Sequence, residues 1–307
     1  MDKRRPCGRG SGRGPRVVHR KALLEALAEE LPINTIRFSS RLTSIEAQSK
    51  QSSSLVTLRL EDGTQITAKV LIGCDGVKSV VARWLGLGEV VNSGRSAVRG
   101  LAVYPQGHGF KHEMQQFIDV GKRGAFLPLT DKELYWFFTC NSTFKGDVEL
   151  IRREVVEMHA NNFPPAYVDV ICHTDPSTLT SASLMFRYPW DVLFGNLSKG
   201  TITVAGDAMH PMTPDLGQGG CSALEDAIVL SRHIGGESSA AKAIASYVKE
   251  RRYRAAGLIT ASYLSGWILQ QDGSGWWIKF IRDFIFFRLL SKKINNVVSF
   301  DCGRLPE

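Results

Sequence analysis

The chain has 307 residues, 43% hydrophobic and 22% charged, ordinary values for a folded protein of one or two domains. Its net charge of +8 is concentrated: Lys3, Arg4, Arg5, Arg9, Arg13, Arg16 and Arg20 face Asp2 alone in the first twenty residues, so no broad nucleic-acid surface is expected. Six scattered cysteines form no CxxC pair, and no apolar run is long enough to span a bilayer, which points to reduced thiols in a cytoplasmic setting.

Residues 1–15 read as a disordered basic leader. They carry no apolar stretch of the secretory kind, and their Gly and Pro content would spoil the amphipathic helix of an organelle-import peptide. Gly8, Gly10, Gly12 and Gly14 strictly alternate and follow no strand. They therefore do not make the GxGxxG turn that seats a pyrophosphate on a helix N-terminus.

Past the leader, "RKALLEALAEELP" places Leu23, Leu24, Leu27 and Leu31 at helical spacing, and Pro32 closes the helix. "LVTLRL" and "QITAKVLIG" flank "EDGT" and predict a hairpin around an Asp-Gly turn. The second arm runs through "VLIGCDG" into a loop, and "VKSVVARWLGL" predicts a short helix. From about Arg95 to Pro189 short strands dominate ("SAVRGLAVY", "EMQQFIDV", "GAFLPLT", "LYWFFTC"), then a helix over "DVELIRREVVEMHANNF" and a strand in "TSASLMFRYPW". That texture predicts a separate α+β unit. "GTITVAGDA" returns to a buried strand, "LEDAIVLSRHI" to a helix, and two helical stretches finish the chain.

The stretch "TITVAGDAMHPMTPDLGQGGCSALEDA" carries the most chemistry. A buried strand delivers Gly206 and Asp207 at its C-terminal end, where α/β sheets place ligands. Asp207 can accept hydrogen bonds from a polyol there. Pro211 and Pro214 stiffen the loop, and Gly217, Gly219 and Gly220 let backbone pass close to a flat ligand at a helix start. From the residues alone two readings stand: a polyol-plus-planar-ring site, and a tight strand-to-helix turn whose glycines serve packing.

A resemblance bears on the choice. "GDAMHPMTPDLGQGG", "VLIGCDGVKSVVARWLGL" and "RVVHRKALLEALAEELP" resemble, in the right order, three motifs of the single-component FAD-dependent aromatic-ring monooxygenases. "FDCGRL" near the C-terminus is similar to the plant monooxygenase branch, which also resembles zeaxanthin epoxidase and salicylate hydroxylase. The resemblance implies an α/β fold: a Rossmann-like FAD-binding domain with an inserted, mainly antiparallel α+β substrate domain and C-terminal helices. The corresponding division is 16–93 with 191–250 for FAD, 94–190 for substrate, and 251–307 for the helical end. Family members begin with a βαβ unit bearing GxGxxG, and such a unit needs about 30 residues or more. Nothing of that kind stands before Arg16 here, so the expectation is an incomplete cofactor domain with bare strand edges and exposed apolar surface.

The resemblance also implies roles. Arg20 would approach the flavin; Asp75 and Gly76 would support the pyrophosphate region; Asp207 would bond the ribityl chain; Pro214 would lie beside the reactive ring edge. Gly217, Gln218, Gly219 and Gly220 would offer N–H groups to the pyrimidine end of the ring. NADPH or NADH would reduce FAD, and O₂ would give a C4a-hydroperoxide that hydroxylates or epoxidises a small hydrophobic or aromatic substrate. The alternative is a catalytically silent remnant acting as an interaction protein. His210 reads as a loop-ordering residue and not a base, and His108 and His112 as surface residues and not metal ligands. Trp276, Trp277, Phe280, Phe284, Phe286 and Phe287, interleaved with basic residues, suit helix packing or weak contact with a membrane surface.

Overall fold

The computed structural model describes residues 17–50, 53–270 and 300–305. The aromatic-rich stretch from Trp276 to Phe287 and the leader lie outside these residues. Helix α1 (Arg20–Glu29) forms where the leucine spacing predicts it, yet none of its residues is buried. Leu23, Leu24 and Leu27 stay 41–54% exposed.

Strands β1 (Leu42–Lys50), β2 (Ser53–Leu60) and β3 (Gln65–Ala68) form one antiparallel sheet. The Asp-Gly turn closes β2 on β3 as expected: Leu60 N–H donates to Thr64 O at 2.9 Å, Asp62 caps Thr64 N–H, and Gly63 takes φ +80°. The predicted second arm is not one strand, however. It breaks after Ala68, and β4 (Leu71–Gly73) joins a different sheet, with Leu71 N–H bonded to Thr201 O. Strand β1 gives only a faint sequence signal, because buried Ile45 stands between the polar residues Ser44 and Glu46.

Helix α2 (Val80–Trp84) follows β4, capped by the Ser79 side chain. Strands β5 (Val91–Val103), β6 (Gln115–Asp119), β7 (Lys122–Pro128), β8 (Glu133–Cys140) and β9 (Thr180–Phe186) make a five-stranded antiparallel sheet in the order β6-β7-β8-β5-β9. The helix predicted over 147–163 is shorter and changes form. α3 (Val148–Glu154) passes into a π-turn over Val155–His159, where Ala160 N–H reaches back to Val155 O at 2.7 Å. That widened turn buries Val155 and Ala160 completely and sets the His159 ring against Phe138 and Phe144. Helix α4 (Pro165–Cys172) then lays Tyr167, Val170 and Ile171 on this sheet, behind a first-turn proline. Phe126 and Trp136 are fully buried in the same core, with Phe110 and Phe117 packed at its margin.

Helix α5 (Pro189–Phe194) leads to β10 (Ser198–Lys199) and β11 (Ile202–Val204). β11 is wholly buried and central in a small sheet ordered β10-β11-β4. Its pairing with β4 is parallel, and β4 forms the sheet edge among the described residues. Helices α6 (Gly219–Gly236) and α7 (Ala240–Gln270) cover it, burying Val229, Ile244, Tyr247 and Ile259 in a second core with Ile202 and Val204. α6 begins at Gly219, earlier than the apolar spacing from Leu224 suggests, because glycines leave no periodic signal. No helix of the described residues is long and apolar enough to cross a membrane. The whole is a mixed α/β fold with antiparallel sheets.

Candidate functional site

The site is built where β4 and β11 end side by side. Gly73 pairs with Val204, and Ala205 N–H donates to Gly73 O at 3.0 Å. Cys74-Asp75-Gly76 and Gly206-Asp207 therefore leave adjacent strands in the same direction. Gly73 is required by this approach, since a Cβ there would stand 2.5 Å from the Val81 Cβ of α2. Gly206 turns the second chain at φ +59°, with Ala223 of α6 packed against it.

Asp75 does local work. Its carboxylate accepts from Ser79 Oγ and from Val80 N–H at 2.7 Å, which holds the turn into α2, and Gly76 takes φ +76° within it. Asp207 is exposed, in a short 3-10 turn, and its Oδ1 lies 4.0 Å from where a Cβ on Gly219 would be. The Asp207 carboxylate thus looks onto the N-terminus of the 18-residue helix α6, whose first N–H groups have no intrahelical acceptors and no side-chain cap.

Between them runs Pro211 to Gly220. Pro214, exposed, opens a 3-10 turn that Gly217 closes at φ +64°. A Cβ would meet nothing within 4 Å at Gly217 or Gly220. Buried Gln218 Oε1, Thr213 Oγ1 and His210 Nδ1 have no hydrogen-bond partner in the described structure. Unpaired polar atoms, bare helix N–H groups and open space at two glycines fit a flat, hydrogen-bonding ligand larger than water. Arg20 stands apart: it is exposed at the start of α1, and its side chain makes no hydrogen bond or ion pair among the described residues. The other eight candidates from the sequence lie on the two adjacent strand-end loops and the start of α6.

Sequence reasoning gives His210 a loop-ordering role but misses the partners that hold it, Asp226 and Arg251. His210 is fully buried, with Nε2 2.6 Å from Asp226 Oδ2, and the same oxygen accepts Gly206 N–H at 2.8 Å. Arg251 of α7, also fully buried, donates to Asp226 Oδ1 at 2.7 Å and to Glu225 Oε2 at 2.6 Å. Burial alone would raise the Asp226 pKa, but the bonds from His210, Arg251 and Gly206 outweigh it and hold the group below its ordinary value. The Glu225 carboxyl is lowered likewise against its desolvation by Arg254 and Arg251. His210 thus orders the loop. The Glu225-Asp226 pair is visible in the sequence, but Arg251 lies a helix away and offers no local signal.

A second buried cluster joins the five-stranded sheet to this loop. Arg95 of β5 meets Asp215 at 3.0 and 2.7 Å, and Arg123 of β7 reaches Asp215 Oδ1 at 3.2 Å and Gln116 Oε1 at 2.9 Å. Burial, and then the neighbouring Arg95 charge, push the Arg123 pKa down against the pull of Asp215. His108 and His112 lie in an irregular segment, bonded to Thr130 O and Asp131. No group of three or more potential metal ligands occurs among the described residues.

Two strand ends, a glycine-rich helix start and a buried acid-base support make up the candidate site. The FAD binding domain family matches residues 17–262. The chain is 40% identical to Monooxygenase 2 of Arabidopsis thaliana over 94% of its own length and 75% of the relative's. It is 34% identical to Monooxygenase 1 of the same plant, over 94% and 76%. Its fold matches that of Klebsiella pneumoniae HpxO complexed with FAD and uric acid, with a TM-score of 0.79 at 24% identity over 93% and 73% of the two chains. The chain belongs to this family of FAD-dependent monooxygenases, which are oxidoreductases.

Proposed function

We propose that the chain binds FAD across the C-terminal ends of β4 and β11 and oxygenates a small hydrophobic or aromatic molecule, using O₂ and either NADPH or NADH. The observation that carries this reading is the parallel Gly73–Val204 pairing, which puts Asp75-Gly76 beside Asp207 although the whole five-stranded sheet lies between them in sequence. The division into a discontinuous FAD-binding domain (16–93 with 191–250), an inserted substrate domain (94–190) and a helical end is part of the same proposal.

In it, Asp207 accepts hydrogen bonds from the ribityl hydroxyls, and Gly217, Gln218, Gly219 and Gly220 present N–H groups to the electron-rich end of the ring. Pro214 stiffens the backbone at the ring edge, Asp75 and Gly76 shape the turn near the pyrophosphate, and Arg20 supplies positive charge. FAD, when bound, supplies the redox and oxygen chemistry; the protein orients it and keeps water out. A small aromatic substrate is supported by the fold shared with HpxO, which was solved with uric acid.

The test is titration of the purified chain with FAD, followed by quenching of flavin fluorescence, beside an Asp207→Ala variant. Saturable binding that weakens about tenfold or more in the variant, roughly 1.4 kcal/mol, supports the reading. Absence of binding by folded protein at high micromolar FAD overturns it in favour of a catalytically silent interaction protein.

A further inference from the structure

One unbroken line of contacts runs from the C-terminal segment to the Gly206 turn. The Phe300 ring lies across two guanidinium groups, with Arg251 Cζ and Arg254 Cζ each 5.1 Å from its centroid. Arg254 holds Glu225 through Nε at 3.2 Å and Nη2 at 2.9 Å. Arg251 holds Glu225, Asp226, and both Ser222 O and Oγ. Asp226 in turn holds Gly206 N–H and His210. Beyond Phe300 the chain stays close: Gly303, at φ +73°, lies where a Cβ would be 2.8 Å from Arg232 Nη1.

We propose that Phe300 is a positioning residue for the cofactor loop. Its ring lies against the Arg251 and Arg254 guanidiniums, attracts them through its face, and keeps water from competing for them. With the arginines fixed, Asp226 is fixed, and the Gly206–His210 turn presents Asp207 to the start of α6. Removing the aromatic face loosens the arginines first and the turn through them. The inference rests on the reading of this turn as the flavin site, but its structural half does not.

The experiment compares Phe300→Tyr and Phe300→Leu in the full chain. Leu fills much of the space without an aromatic face; Tyr keeps the face. Amide hydrogen exchange is followed at Gly206 and His210 in protein without flavin, with amides of β8 as the reference, and the FAD dissociation constant is measured separately. The expected result is exchange at Gly206 and His210 about tenfold faster in the Leu variant, unchanged in the Tyr variant, with β8 unmoved. FAD should bind about tenfold more weakly to the Leu variant alone. Equal behaviour of Leu and Tyr, or faster exchange spread evenly into β8, overturns the proposal, because either means simple packing. If no variant and no parent binds FAD, the flavin reading fails while the exchange pattern still decides the coupling from Phe300 to the turn.

Discussion

Arg95 and Asp215 stand 120 positions apart and meet as a two-toothed, buried ion pair, at 3.0 and 2.7 Å, with Arg123 on the same carboxylate. Gly266 of α7 packs so tightly over the pair that a side chain there would collide with both partners. The pair fastens the five-stranded sheet to the Pro214 turn. Asp215→Asn should cost about 3–5 kcal/mol, because it leaves two guanidiniums facing each other out of water. Arg95→Gln should cost less, since Arg123 remains on Asp215. Urea denaturation of the two variants checks the order; equal midpoints would refute it.

The Asp226 network predicts an acid limb of stability. Asp226 and Glu225 are held below their ordinary values of 3.8 and 4.5. A group lowered in the folded state stabilises it fully above its unfolded pKa, and the stabilisation is lost as pH falls through the folded value. Stability should therefore decline from about pH 5 downward. Asp226→Asn should flatten that decline while lowering stability at pH 7. Thermal melts between pH 3 and 7 for parent and variant provide the comparison.

Two glycines should respond in opposite ways to alanine. At Gly73 the new Cβ meets the buried Val81 side chain at 2.5 Å, and overpacking of this kind costs about 1–3 kcal/mol. At Gly220, in the first turn of α6, the Cβ meets nothing. Alanine there should raise stability by up to about 1 kcal/mol while weakening FAD, since the open space is where the ring is proposed to lie. A Gly220→Ala protein that is more stable and binds FAD as tightly as the parent would argue against that placement.

The leucines of α1 should prove nearly neutral. Leu24 is 54% exposed and Leu27 49%. Replacing either with Lys should change unfolding free energy by less than about 0.5 kcal/mol, whereas Val229→Ala, at a fully buried position, should cost about 1–3 kcal/mol. Dye binding to exposed apolar surface should fall in the Leu→Lys variants.

Legibility in the sequence followed the range of each signal. The helix from Arg20, the Asp-Gly hairpin turn and the long helix from Ala240 to Gln270 rest on spacing within a few residues, and all form. The π-turn at Val155 has no local signal, and apolar spacing alone starts α6 only at Leu224, because glycines without side chains make its first turn. Gly206-Asp207 and the glycines from 217 to 220 were singled out by composition and by resemblance to a family. Their support was not, since Asp226, Arg251 and Phe300 meet only after α6, α7 and the C-terminal segment pack.

By itself, then, the sequence determined the Asp-Gly turn, the helical spacing and the strand-end loops singled out as the candidate site. Only the tertiary structure decided that β4 leaves the predicted hairpin arm to run parallel to β11, bringing Asp75 and Asp207 to one end of the sheet. Only it decided, too, that Arg251 and Arg95 reach carboxylates on other elements. The physical reason is that turn geometry and periodicity act over one stretch of chain, whereas strand partners and buried charge pairs are chosen by which distant surfaces exclude water together.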